Sequence, residues 1–292
     1  MALTISNVTT ATSTTASTSL ATSASVTAAV GDWLYVACSA DNNGASGGPS
    51  ISGISDSAGN TWVLRNDYVT QDPGAAGAGI TLGVWTCAVT NTLSSGIVTV
   101  SFNPATTSKA LVVWKVVPDA GQAVAFVSAG VGVVGISTSM SAGAVGVTNG
   151  HTIFGATATE STTAAVGDAD TTNGNWSSVY AATASTGTFS TSASLSSQCK
   201  TVTATGDQTY NTTLTIARDY AINYLILRAL VNVAPIGVSG AGQVGTIVVS
   251  NWTIVDDAQA AGWGNINDSQ SPNWAPVNSP QTPGWVDVDV LD

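Results

Sequence analysis

Charge is what this sequence has least of. Lys, Arg, Asp and Glu make up 8% of its 292 residues, about a third of the ordinary globular share. Ser, Thr, Ala, Gly and Asn take their place, so the surface is polar but nearly uncharged. The six cations, Arg65, Lys109, Lys115, Lys200, Arg218 and Arg228, are scattered against sixteen Asp and one Glu, for a net charge of -11. Nucleic acid and anionic membrane both attract basic patches, and neither is expected as a partner. Histidine is scarcer still. A Ser-His-Asp or Cys-His arrangement would have to be built on His151, which follows Asn149 and Gly150 at the start of an apolar strand. A turn-proximal histidine with a satisfied hydrogen bond is the simpler expectation there.

Cysteine is sparse as well. Cys38, Cys87 and Cys199 are odd in number and far apart, which favours free buried thiols and leaves a Cys38–Cys87 bridge open. Three scattered cysteines and one histidine show no zinc spacing, and no cofactor is expected. No apolar run reaches the length of a membrane span. The first residues, MALTISNVTTATSTTASTSLATS, have no basic cluster, long apolar core or cleavage pattern. The expectation is a chain made in a cytoplasm without a signal peptide.

What the sequence does have is strands. Apolar residues are 44% of the chain, enough for a large core. Residues 1–30 alternate Thr or Ser with Val, Ile and Ala, a weak period of two that suits one or two edge strands. Sharper strands follow at 31–42, 60–69, 79–91, 96–104 and 109–119, each bounded by turn residues. Within them Trp33, Tyr35 and Ala37 share one face, as do Leu82, Val84 and Thr86, and Trp85 and Cys87 point the other way. After a Gly-rich stretch near 129–150 a second set occupies 150–159, 176–185, 194–205, 210–217 and 220–233. The last, YAINYLILRALVNV, reads as a central strand buried on both faces. About ten strands without helical periodicity predict an all-β fold, a jelly roll or two-sheet antiparallel sandwich over residues 1–232, followed by a short β-repeat tail.

A Gly-rich, charge-free linker at 233–250 leads into that tail. Over 251–292, Trp252, Trp263, Trp274 and Trp285 stand 11 residues apart. Val255, Ile266, Val277 and Val288 recur three steps on, and Gln259, Gln270 and Gln281 seven steps on. An 11-residue period also suits a right-handed helical supercoil, but Pro272 and Pro283 and the turn-forming Asp, Asn and Ser of each unit oppose helix. The units read as short strands separated by turns. Forty-odd residues of this kind cannot enclose a core, so the tail needs a partner. Trp252, Trp263, Trp274, Trp285 and their companions Val255, Ile266, Val277 and Val288 are therefore the candidate partner-binding residues. The simpler alternative is that these tryptophans pack back on the body.

Among polar stretches, GDADTTNGN offers oxygens from Asp168, Asp170, Asn173 and Asn175 within one loop, a weak calcium candidate that lacks EF-hand spacing. An ordinary polar loop is the competing reading. Trp176 and Tyr180 lie beside it, and such aromatics can stack on sugars, although core packing is the commoner use. Glycoside cleavage needs two facing carboxylates, whereas Asp41, Asp56, Asp72, Asp119 and Asp207 sit in turns, where Asp caps the backbone. No residue is singled out as catalytic.

The stretches GDWLYVACSADN, ISDSAGNTWVLRND, LGVWTCAVTNTLSSGIVTVSF and KALVVWKVVPDAG together resemble the β-sandwich module of many tailed-bacteriophage structural proteins and of some bacterial surface proteins. Its marks are a strand after Gly-Asp, the turn Asp56-Ser57-Ala58-Gly59-Asn60-Thr61-Trp62, and a Gly-led strand before a Val-rich one. The tail is similar to carboxy-terminal repeats of phage virion proteins. The resemblance spans roughly the first 230 residues and transfers no catalytic residue. It implies a non-enzymatic structural protein on the virion exterior, a capsid decoration protein or a tail or fibre subunit. The expected partners are other virion proteins and copies of the chain itself, with a homotrimer as the first guess. A carbohydrate-binding adhesin that meets a surface glycan is the alternative, and a polysaccharide-degrading enzyme the third reading.

Overall fold

The computed structural model of the protein describes residues 3–41, 50–69 and 79–231. They form strands β1 (Leu3–Ser13), β2 (Ser17–Ala21), β3 (Val26–Ala28), β4 (Trp33–Asp41), β5 (Ser50–Asp56) and β6 (Trp62–Val69). Next come β7 (Ile80–Ala88), β8 (Leu93–Gly96), β9 (Val98–Thr106), β10 (Lys109–Pro118), β11 (Gln122–Ala129) and β12 (Val133–Val147). The last are β13 (His151–Thr159), β14 (Tyr180–Ala184), β15 (Ala193–Thr201) and β16 (Gly206–Val231). A single 3-10 turn, Phe189–Thr191, is the only helical element among the described residues. The predicted all-β class and antiparallel sandwich are what the chain adopts.

The first main sheet runs β1-β10-β4-β7-β6 and the second β11-β16-β13-β15-β14. β11 pairs with Leu225–Val231 of β16, and β12 with the part of β16 that precedes them, so the two follow one another along one edge while β13 takes the other. Two small sheets, β2-β9-β5 and β3-β8, complete the body.

Alternation within the strands decides the layers. Tyr35, Ala37, Leu82, Val84, Val112 and Trp114 leave the first sheet on one side and meet Phe154, Ala156, Leu195, Leu225 and Leu227 of the second. From its opposite side Leu34, Val36, Trp85, Cys87, Leu111 and Val113 pack on Val98, Val100, Phe102 and Leu20 of the small sheets. The first sheet is thus covered on both faces, which explains near-continuous apolar runs in β4, β7 and β10. Each buried Val, Leu, Ile or Phe side chain is worth about 1.5–3 kcal/mol relative to exposure.

The second sheet is covered by its own chain. The first half of β16 crosses the outer face of β13, where Thr157 and Thr212 share a 3.0 Å hydroxyl hydrogen bond. Tyr210 lies over Gly155 so closely that a Cβ there would enter the ring. Ile153, Ile222, Ile226, Tyr210, Trp176 and Met140 form the resulting cluster.

Several expectations are corrected. The strands expected at 210–217 and 220–233 are one strand, β16, whose register shifts against β12 around Ser137/Ser139 and Ser141/Ala144. The Gly-rich stretch expected to separate two strand sets is β12 itself. Its glycines serve the pairing: Gly143 takes φ +79 at a register shift, and Gly135 lets the Tyr220 ring approach. Residues 1–30 hold three strands, not one or two. Trp176 starts no strand and makes an isolated bridge with Lys200. The expected linker and Trp-repeat segment lie outside the described residues.

Candidate functional site

Three polar assemblies interrupt the apolar layers. The first is the turn between β5 and β6. Asp56 Oδ1 accepts from the backbone N–H of Ala58 (2.8 Å) and Asn60 (3.3 Å), and Trp62 Nε1 donates to Asp56 Oδ2 at 2.8 Å. Gly59 occupies the left-handed region at φ +72, which glycine enters without penalty. Asn60 then reaches across to the loop after β7. Its Oδ1 accepts from the N–H of Thr90 (2.9 Å) and Asn91 (2.7 Å), and its Nδ2 donates to the Asn91 carbonyl at 3.0 Å. This motif clamps two loops together. Behind it, burial and the Asp56 charge push the Cys87 thiol up to about 12.

The second assembly is the loop 168–176. Gln198 on β15 anchors it, accepting from Asp168 N–H at 2.7 Å and donating to the carbonyls of Asp168 (3.2 Å) and Ser177 (2.7 Å). All four carboxylate oxygens of Asp168 and Asp170 have donors. Asp168 accepts from Asp170 N–H (2.8 Å) and Asn211 N–H (2.7 Å); Asp170 accepts from Thr172 N–H (3.0 Å) and the Lys200 ammonium (3.0 Å). Bonds from Thr172, and then Lys200, hold the Asp170 carboxyl down at about 2. Asn173, at φ 58, gives its carbonyl to Thr203 N–H, and Asn175 is exposed. Asp168 and Asp170 thus share one loop as expected, with backbone N–H groups on Asp168 and the buried Lys200 as the counter-charge of Asp170. Among the described residues no group of three His, Cys, Asp or Glu side chains is arranged to hold a metal ion.

Trp176 and Tyr180, the aromatics beside this loop, are turned into the protein. Trp176 packs on Tyr210 at 4.9 Å between ring centroids and Tyr180 edge-on against Trp114 at 5.4 Å. Core packing, the commoner of the two uses weighed for this pair, is the one found.

The third assembly escaped the sequence reading. β4 ends at Asp41, β13 runs into Glu160, and the register Thr159↔Tyr220 sets Glu160 beside Asp219 on β16, its N–H donating to the Asp219 carbonyl at 2.9 Å. All three carboxyls are buried. Burial first, then a carboxyl–carboxyl hydrogen bond with Asp219 and the charges of Asp219 and Asp41, push Glu160 up to about 8, against a backbone hydrogen bond from Gly79. Near neutral pH Glu160 is the protonated member and donates. The available signal was weak: the single Glu of the chain stands directly after an apolar strand.

The cysteines are all free. Cys38 faces Gly83 and Cys87 faces Leu34 across the β4–β7 ladder. They are offset by four residues, about 13 Å, beyond disulfide reach. His151 begins β13, and its ring bonds to Thr148 as expected for a turn histidine. The candidate partner-binding residues Trp252, Trp263, Trp274, Trp285, Val255, Ile266, Val277 and Val288 lie outside the described residues. No family model matches the chain, and no curated protein or solved structure is significantly similar to it.

Proposed function

We propose that the chain is a non-enzymatic structural protein of a tailed-phage particle exterior, a capsid decoration protein or a tail or fibre subunit. It docks or self-associates through its Trp repeats. The observation that carries this reading is the unbroken 11-residue spacing of Trp252, Trp263, Trp274 and Trp285 with its companion Val or Ile positions. Packing on a core needs no such regularity, whereas repeated contact with a partner uses it. The layered antiparallel body supports the reading as a rigid carrier, because its polar loops are tied down by their own backbone and side-chain bonds. A chain ending at residue 250 should fold and fail to enter particles or oligomerise. Unchanged incorporation in a complementation assay would sink the docking role.

A further inference from the structure

The described cations account for their charge in different ways. Lys109 Nζ is coordinated by the carbonyls of Thr15 (2.8 Å), Thr106 (2.6 Å) and Thr107 (3.5 Å), and Lys200 pairs with Asp170. Lys115 reaches the Thr27 carbonyl at 3.4 Å. Arg65 donates to Thr86 Oγ1 at 2.8 Å and covers the Phe126 ring, and Arg218 lies over Phe189 at 3.7 Å. The Arg228 side chain differs: beyond its backbone pairing in the sheet, it makes no hydrogen bond, ion pair or ring contact among the described residues. In a chain of net charge -11 such an unengaged guanidinium stands out.

Arg228 opens on a pocket of about 340 Å³ lined by Thr148, Asn149, Gly150, His151, Arg228 and Ala229, none of them acidic. His151 and Arg228 are cross-strand neighbours on β13 and β16. The Thr148 N–H donates to His151 Nδ1 at 3.3 Å, which places the proton of the neutral ring on Nε2. The 2.8 Å contact between Nε2 and Thr148 Oγ1 is then a bond from Nε2–H, and the Thr148 hydroxyl hydrogen is left for an acceptor in the pocket. Burial and the adjacent Arg228 charge both lower the His151 pKa, so the imidazole is neutral at pH 7. The wall therefore presents a guanidinium fork, a hydroxyl donor and the Asn149 side chain, with no fixed carboxylate to compete.

We infer that the His151–Arg228 pocket is an oxyanion-binding site, which takes a carboxylate or phosphate group on a ligand of monosaccharide size. A guanidinium matches the two oxygens of either group with parallel N–H bonds, and the volume falls in the range of small-ligand sites. This inference is independent of the Trp repeats.

His151 is the single histidine of the chain, so its imidazole proton resonance reports the pocket without assignment. The full chain is titrated at constant pH and ionic strength with inorganic phosphate, galacturonate and, as a neutral control, galactose. A saturable displacement by phosphate, by galacturonate or by both, and none by galactose, is expected, and the responding probe identifies the source of the oxyanion. Arg228→Gln should weaken binding roughly tenfold or more, the scale of a lost charge-assisted bond, with an unchanged circular dichroism spectrum. Thr148→Val, at an exposed turn residue, should weaken it as well without touching the charge. No saturable displacement, an equal response to galactose, or undiminished affinity in both variants would overturn the site.

Discussion

At the scale of single residues, the position that departs furthest from its surroundings is Glu160. In the unfolded chain this carboxyl titrates near the ordinary value of about 4.3; in the fold it holds its proton up to about 8. Between those values the folded protein binds more protons than the unfolded, so stability falls as pH rises. Its contribution is fully present below the unfolded value and lost as pH climbs through 8. His151, whose value is lowered by burial and by the Arg228 charge, acts in the opposite direction as pH falls through the ordinary imidazole range, so the comparison must be with Glu160→Gln, which keeps a donor and removes the titration. Urea unfolding at pH 5.5 and 8.5 should show the wild type losing a few kcal/mol more than the variant. Parallel losses would mean that the Glu160–Asp219 pair does not share its proton. Nothing local in the sequence predicts this pair, because the two residues meet only through the β13–β16 register.

Among elements, the turn between β5 and β6 makes the sharpest claim. Asn60 is buried and satisfies the N–H groups of Thr90 and Asn91 from another loop. Asn60→Ala leaves both donors unpaired, at a cost of about 1–3 kcal/mol for each that water cannot reach. Denaturation should therefore register a loss of about 2–4 kcal/mol for this variant, while Asn91→Ala, whose exposed side chain makes one 3.3 Å bond, should cost less than 1 kcal/mol. Equal effects would mean that the clamp is not the unit described. This element also shows what a sequence can disclose. The Asp56–Trp62 turn was legible because its residues bond within seven positions, and the facing of Leu82 and Val84 against Trp85 and Cys87 was legible because alternation within a strand is local. β12 was not. Its three glycines read as a spacer, while the use of two of them, a bulge at Gly143 and room for Tyr220 at Gly135, depends on where β16 passes. The fusion of 210–217 and 220–233 into one strand was hidden for the same reason: the first half packs on β13, where Gly155 admits the Tyr210 ring, a contact that no local pattern announces. The pocket at Arg228 likewise needed the pairing of two strands far apart in sequence.

For the whole molecule the argument turns on where charge and core lie along the chain. Among the described residues, those between Leu3 and Leu227 enclose three apolar clusters; if the tail serves docking, as proposed, a chain ending at residue 250 should melt within a few degrees of the full one. Acid is distributed differently. Six of the sixteen Asp, and none of the six cations, fall within 251–292, which gives this short segment more than half of the net charge of -11. Copies that assemble through their Trp repeats must bring these acids together, and repulsion between exposed charges is screened within about 10 Å at 0.1 M salt and about 3 Å at 1 M. Burial of apolar Trp, Val and Ile surface does not weaken with salt and is reinforced by strongly hydrated anions. Self-association should therefore tighten as sodium chloride is raised from 50 mM to 0.5 M, and a chain ending at residue 250 should show none at either concentration. Sedimentation velocity decides between the two modes of contact. If added salt instead dissociates the assembled full chain, ionic contact and not burial of the tryptophans holds the copies together, and self-assembly through the Trp repeats is wrong.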